Sequence, residues 1–575
     1  MKNFTKLLSY VFLIIFNGVS VWAIIFLGIN RSFEWMTILF VLTVFTDFVV
    51  LNPKGYPYRY MIPAAFILLI LSIYPILYTV QIAFTNYGLG HLYTKEQVVY
   101  FILNDPSYYY TPKNASQFDY YIFIKYKDSK PSKNFMVLVR SDKGKYVFLT
   151  PQPQKLFGTN IVKYKSTAYK IDNDNFYIND NEYSFVRDPQ TKEIIKIKSQ
   201  NGDYYYFFNW NDPMTLANRK YFLNNVFPVI KSANISLPNG SLIAFTVGEG
   251  YGKMVQVRRI YDIEGKAVLE GPVQVVKPVL YNTRTGNILQ EKDGYFYDID
   301  SNGREFKLDE GYASNVGLKN FLRLIKDPKI SGPFLKVFVW TFVWAFLTVL
   351  FTFTIGLSLA LILNNPELKG RFIYRTLLII PWAIPAFVSV LMWRVGMFND
   401  TYGLLNRFIL PFFGMHPVKW LNDPFYAKIA VLVANTWLGF PYMMTVSLGA
   451  LQSVPSELYE AARVDGANKK AMFFNITLPL IMIAVGPLLV GSFSFNFNNF
   501  TGIYLLTGGG PALPNSVTPA GATDILLSYT YKLAFEGGRG NDYGLASAVS
   551  IIIFIIIASI SLVNFKLSNT FGEEY

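Results

Sequence analysis

Apolar runs long enough to cross a bilayer occupy both ends of this chain, and one long polar stretch separates them. A helix needs about 20 apolar residues to traverse the hydrocarbon core. Eight runs approach or meet that length: residues 7–29, 35–52, 60–84, 334–363, 373–398, 426–451, 476–505 and 543–566. Inside lipid every backbone N–H and C=O must find a partner within the protein, so runs of this length fold as helices. The pattern predicts a polytopic α-helical membrane protein with eight spans, divided into 1–87 (three spans), a soluble insert at 88–333, and a five-span core at 334–575.

The formal net charge of +14 invites comparison with nucleic-acid binders, but Lys and Arg are dispersed with no basic repeat or binding motif. Topology accounts for part of the excess. Placing the N-terminus in the cytoplasm puts Lys369, Arg371, Arg375, Arg463, Lys469 and Lys470 on short inner segments, while the outer ones carry fewer cations. The insert then faces outward and both termini face inward. The first run is span-length and lacks a small-residue cleavage site, which predicts an uncleaved anchor. With no cysteine, thiolate metal sites and disulfides are excluded, and the two histidines, His91 and His416, are too far apart in sequence to suggest a histidine-rich metal site.

The insert reads as mostly β. Phe135–Val139 and Tyr146–Leu149 flank a turn at 141–144, and Ile194–Ile197 and Tyr204–Phe208 flank Asn201-Gly202, a strong hairpin signal. Further turns are expected at Thr285-Gly286-Asn287, Lys292-Asp293-Gly294 and Ser301-Asn302-Gly303, with helices near 94–104 and 315–326.

Within the core, Val454–Pro479 is a polar helix-turn-helix between two spans. Pro455 suits a first helical turn, Glu457 and Glu460 favour the positive helix end, Gly466 supplies the stop, Asn468 caps a second helix, and Pro479 is expected to interrupt it. In the fifth span Pro381 and Pro385 flank Trp382 and predict a broken helix. The sixth contains NTWLGFPYMM, with Asn435, Leu438, Gly439 and Tyr442 at helical spacing. The seventh contains GSFSFNFNNF, which places Ser492, Asn496 and Asn499 on one face with Phe495 beside them. Uncharged polar groups there are costly against lipid; they either join helices or face a neutral polar ligand. Hydroxyl-rich sugars need mixed donors and acceptors for their edges and aromatic rings for their apolar faces, and both are present. Asp47 is the clear acid within a span and is assigned to packing or an interfacial position. After the seventh span the Gly508–Pro511 run breaks structure, and Thr523 or Asp524 starts a short helix ending near Gly537.

The order Glu460-Ala461-Ala462, Asp465-Gly466-Ala467, Ile476, Leu478, Pro479 resembles the EAA loop of permease subunits in ATP-binding-cassette importers. With PELKGRFIYRTLLIIPWAIPAF, FNFNNF and the outer segment LLTGGGPALP, the chain resembles MalF-type permeases of maltose and maltodextrin importers. That resemblance implies an importer permease fold in the inner membrane, with the insert holding an extracytoplasmic sugar-binding protein. It implies a MalG-like permease and two copies of a MalK-like ATPase as partners. ATP and Mg would reside on that ATPase, with no cofactor and no catalytic residue on this chain. No Gly-x-x-x-x-Gly-Lys-Ser/Thr loop is present, which agrees. By resemblance the sugar site uses Trp382, Asn435, Leu438, Gly439, Tyr442, Ser492, Phe495, Asn496 and Asn499, and ATPase docking uses Glu460, Ala461, Ala462, Asp465 and Gly466. Ala386 stands where relatives can carry a hydroxyl. Trehalose or another oligosaccharide is the alternative cargo; an ATP-independent sugar transporter or a membrane sensor is the alternative class.

Overall fold

The computed structural model describes residues 2–567 apart from 30–32, 53–60, 62–63, 65–66, 128–129, 143, 156–161, 209–218, 247–252, 271–272, 301, 515 and 537–540. It comprises two compact units, Met1–Asn86 with Asn315–Tyr575, and Tyr87–Ser314. The helical unit resumes at Asn315 rather than at 334. Asn320 is the reason: it is buried and donates to the carbonyls of Ala83 and Thr85, at 2.9 and 2.7 Å, which ties the returning chain to the departing one.

The helical unit contains α1 (Lys2–Ile29), α2 (Phe33–Leu51), α3 (Tyr74–Ala83), α4 (Lys319–Lys326), α5 (Pro328–Leu363), α6 (Arg371–Ala383), α7 (Ala386–Met392), α8 (Pro424–Gln452), α9 (Ser456–Val464), α10 (Lys469–Met472), α11 (Leu478–Phe497), α12 (Phe500–Thr507), α13 (Leu526–Phe535) and α14 (Tyr543–Leu567). Among the described residues, α5, α8, the continuous stretch Lys469–Phe497, and Tyr543–Lys566 are long and apolar enough to cross a membrane. Shorter apolar stretches run over Leu13–Ile29, Trp35–Leu51 and Leu69–Ala83; the expected start of the third span at residue 60 lies outside the described residues. Asp47 accepts a hydrogen bond from Asn17 at 2.9 Å, joining α2 to α1.

Proline shapes these helices in two ways. Between α6 and α7 the axis turns by 89°. Ile384 is extended, the backbone that the ring of Pro385 favours for the residue before it, and the span breaks there as the proline pair predicted. Elsewhere proline is absorbed. The π turns Leu69–Ile73, Phe222–Val226, Leu405–Ile409 and Phe473–Thr477 each lead into a residue-proline pair: Tyr74-Pro75, Phe227-Pro228, Leu410-Pro411 and Leu478-Pro479. Proline lacks the N–H for an i→i−4 bond and clashes with that carbonyl, and one extra residue in the preceding turn relieves the clash. This corrects the expectation for Pro479. It does not interrupt the second arm of the hairpin; the Leu478 N–H bonds to Phe473 O, and Lys469–Phe497 is one helix.

α5 and α8 cross closely because each presents a glycine to the other. A Cβ on Gly356 would lie 2.6 Å from the Met444 nitrogen, and one on Gly439 would lie 2.8 Å from Thr352 Cγ2. Trp344 is fully buried and donates its indole N–H to Asn496 O at 3.0 Å. The outer segment is closed by a buried ion pair, with Lys532 Nζ 2.8 Å from Asp524 Oδ2. Its helix α13 begins at Leu526, slightly later than expected, because Asp524 is used to accept from Gly521 N–H and the Ser528 hydroxyl. The helix stops at Phe535, before Gly537, which lies outside the described residues.

In the second unit, strand Lys130–Ser141 pairs with Gln117–Lys127 and with Gly144–Leu149, and Ile194–Ser199 pairs with Tyr204–Phe207. The turn glycines behave as read: Gly202, Gly286, Gly294 and Gly303 all have positive φ. Phe135 to Val139 are buried without alternation because both faces of this sheet are covered. Phe135, Val137 and Val139 meet Phe222, Val226 and Ile230 on one side; Met136 and Leu138 meet Val147, Ile197 and Tyr205 on the other. A third cluster joins Val98 and Ile102 of the short helix Lys95–Asn104 to Tyr261, Phe296 and Tyr312. His91 packs edge-on against Tyr295 at 4.5 Å, and His416 is exposed. No acid or histidine group suited to a metal occurs among the described residues. Thr94 caps Lys95–Asn104 in a reciprocal box with Gln97. Thr94→Ala is expected to cost about 1 kcal/mol locally, read as roughly fivefold faster amide exchange over that helix.

Candidate functional site

Polar residues of α5, α8 and α11 converge on a cavity of about 810 Å³. α5 contributes Thr348 and Thr352; the α6–α7 break contributes Pro381 to Ala386; α8 contributes Asn435, Leu438, Gly439 and Tyr442; α11 contributes Gly491, Ser492, Phe495 and Asn496; Asn499 and Thr501 follow. All nine residues expected from the sequence lie on this wall, and among the described residues no charged one does. The break between α6 and α7 is what brings Trp382 in, 6.1 Å from the ring of Tyr442. Trp382 and Phe495 are 57% and 70% exposed, so their ring faces are available.

The three asparagines form a relay. Asn435 Nδ2 donates to Asn496 Oδ1 at 2.8 Å, and Asn499 Nδ2 donates to Asn435 Oδ1 at 3.0 Å. Asn496 Nδ2 donates to Ser492 O at 2.8 Å, and Asn499 Oδ1 accepts from Gly502 N–H at 3.0 Å. Each side-chain amide carries two N–H donors and an oxygen with two lone pairs, so each retains one of each beyond these bonds. The amides therefore both join helices and keep free valences. Asn499 corrects one expectation: it does not continue the face of Ser492 and Asn496. The helix ends at Phe497, and Asn499 is the N-cap of α12, which swings it back to Asn435.

Sequence reading missed Thr348, Thr352, Gly491 and Thr501 on this wall. The four-residue spacing of Thr348 and Thr352 in an otherwise apolar run was the available signal. Thr352 returns its hydroxyl to Thr348 O at 2.8 Å, while the Thr348 hydroxyl has no partner among the described residues.

At the other end of α11 lies the polar hairpin. Pro455 is the N-cap of α9, one residue ahead of the expected first turn, since its ψ of 135° is extended. The stop is as read: Gly466 has φ +79°, Ala467 N–H bonds to Ala462 O at 2.8 Å, and Asn468 caps α10 through Ala471 N–H. Glu460, Ala461, Asp465 and Gly466 are exposed and Ala462 is half-buried. Val464 is 88% exposed, an apolar contribution to this surface that the sequence reading passed over.

The model of the binding-protein-dependent transport system inner membrane component matches residues 352–568, and that of the N-terminal region of the transmembrane subunit in PBP-dependent ABC transporters matches 66–150. These define the class: a multi-pass inner-membrane permease subunit. The maltose/maltodextrin transport system permease protein MalF of Vibrio parahaemolyticus is 33% identical over 542 residues, 93% of this chain and 90% of that protein. That of Salmonella typhimurium is 46% identical over 275 residues, 48% of this chain and 53% of that protein. A bacterial ABC transporter involved in the import of the acidic polysaccharide alginate superposes with a TM-score of 0.38 at 26% identity, over 45% of this chain and 85% of that one. The chain belongs to the MalF family.

Proposed function

We propose that this chain is the permease subunit of an ATP-driven importer of maltose and maltodextrins, and that the uncharged cavity is its half of the sugar path. Convergence of Trp382, Tyr442 and Phe495 with Asn435, Ser492, Asn496 and Asn499 on one wall supports this reading. Aromatic faces suit the apolar faces of glucose rings, and the spare amide donors and acceptors suit hydroxyls. An ionic cargo would meet no countercharge.

In this reading eight spans place both termini in the cytoplasm and the Tyr87–Ser314 unit outside, where it holds the binding protein. A MalG-like permease completes the path. Two MalK-like subunits bind ATP and Mg, and one of them seats on Glu460, Ala461, Ala462, Asp465 and Gly466. Their closure drives the hairpin and opens the spans outward; hydrolysis resets them. ATP hydrolysis and uptake by the complete reconstituted importer, compared across maltose, longer maltodextrins and trehalose, test this. Maltose or maltodextrins should stimulate both. Stimulation by trehalose alone would replace the cargo, and no sugar response in an assembled complex would reject the reading.

Gly466 offers a sharper test of docking. A Cβ there meets nothing within 4 Å, yet φ is +79°, so valine strains the turn and adds bulk only to the exposed surface. Gly466→Val should reduce sugar delivered per ATP by roughly tenfold, from about 1–3 kcal/mol of backbone strain. Membrane insertion should be retained; wild-type coupling in this variant would remove the turn from the docking surface.

A further inference from the structure

We infer that Tyr459 and Thr477 form a latch that makes both arms of the docking hairpin move with the sugar-lining helix; this rests on the docking role proposed above. The second arm needs no latch. Lys469–Phe497 is a single helix of 29 residues, with Lys469 and Lys470 at the hairpin and Ser492, Phe495 and Asn496 at the cavity. A push on that arm reaches the cavity wall without crossing a loop.

The first arm, α9, is different. It carries Glu460, Ala461 and Ala462, none of its residues is buried, and it joins α10 through the left-handed Gly466. Residues 453–455 tie its start to α8, but to the Lys469–Phe497 helix its side-chain link is one contact: the Tyr459 and Thr477 hydroxyls lie 3.0 Å apart. Thr477 is buried and sits in the π turn below α11. Its own proton is directed at Met472 O, 3.3 Å away, which leaves Tyr459 as the donor between the two. Among the described residues no other side-chain hydrogen bond or ion pair links α9 to a membrane helix. The π turn that accommodates Pro479 thus also presents the hydroxyl that holds the first arm. Tyr459 is a positioning residue, acting on the cavity through the helix it grips.

The variants Tyr459→Phe, Thr477→Val, Thr477→Ser and the double Tyr459→Phe/Thr477→Val separate a latch from general packing. In the reconstituted importer, sugar delivered per ATP should fall about two- to tenfold in each hydroxyl deletion, the worth of one neutral hydrogen bond. The double should be no worse than the more affected single, and Thr477→Ser should keep wild-type coupling. Amide exchange over residues 456–464 of the purified full chain should rise by a similar factor in the same variants and stay at the wild-type rate in Thr477→Ser. Unchanged exchange in Tyr459→Phe, or additive losses in the double, would overturn the latch. A wild-type importer without sugar-stimulated hydrolysis would instead reject the importer reading, while the exchange data would still decide whether the two arms are joined.

Discussion

Asn435→Leu should lower sugar uptake by roughly two to three orders of magnitude in complexes that still assemble. Asn435 is the centre of the relay, donating to Asn496 and accepting from Asn499. Leucine keeps the branched heavy-atom skeleton, with methyl groups bulkier than the amide atoms, but removes both functions, leaving one buried acceptor and one donor unsatisfied at about 1–3 kcal/mol each. At about 1.4 kcal/mol per decade, two such losses reach the stated range. The consequence extends beyond one lost contact: Asn499 caps α12 while held by Asn435, so its release also loosens the turn at Asn498. Uptake normalised to co-purified complex is the measurement. A fall below threefold would mean that the relay holds helices together but takes no part in the path.

Lys532→Met should lower the apparent Tm of the purified chain by roughly 5–10 °C. The Asp524 carboxylate is fully buried, and burial alone pushes its pKa up; Lys532, Ser528 and the Gly521 N–H oppose this by stabilising the charge. Removing the lysine strands a carboxylate, and breaking a buried pair from one side typically costs about 3–5 kcal/mol. The paired change Asp524→Asn/Lys532→Met should recover most of the loss, because neither charge then remains to be compensated. Equal destabilisation in single and double variants would show that packing, not charge, dominates here. The surroundings are tight: a Cβ on Gly509 would fall 1.7 Å from Asp524 Oδ1, so the glycine run closes directly over the pair.

Much of the site was legible in the sequence because a polar side chain in an apolar run is expensive against lipid, and its position is therefore informative. Ser492, Asn496, Asn435 and Tyr442 stood out on that ground, and Pro381 with Pro385 marked the break that admits Trp382. Thr348 and Thr352 did not stand out. A threonine in a helix can return its hydroxyl to the preceding turn, as Thr352 does, so its presence in an apolar span carries little positional information. Val464 escaped notice for the opposite reason: exposure is not a property of one residue type.

The sequence by itself determined the long apolar helices of the core, the β-rich insert with its glycine turns, the polar hairpin and the residue types on the cavity wall. These follow from local terms: length against bilayer thickness, hairpin chemistry and the cost of burying polar groups. Tertiary structure alone decided that Asn435, Asn496 and Asn499 bond across more than sixty positions, that Asp524 pairs with Lys532 beneath Gly509, and that the hairpin's second arm continues through a π turn into the cavity wall. Partner choice in a folded chain depends on which helices cross and at what spacing. The small residues Gly356 and Gly439 set that spacing only once α5 and α8 are side by side.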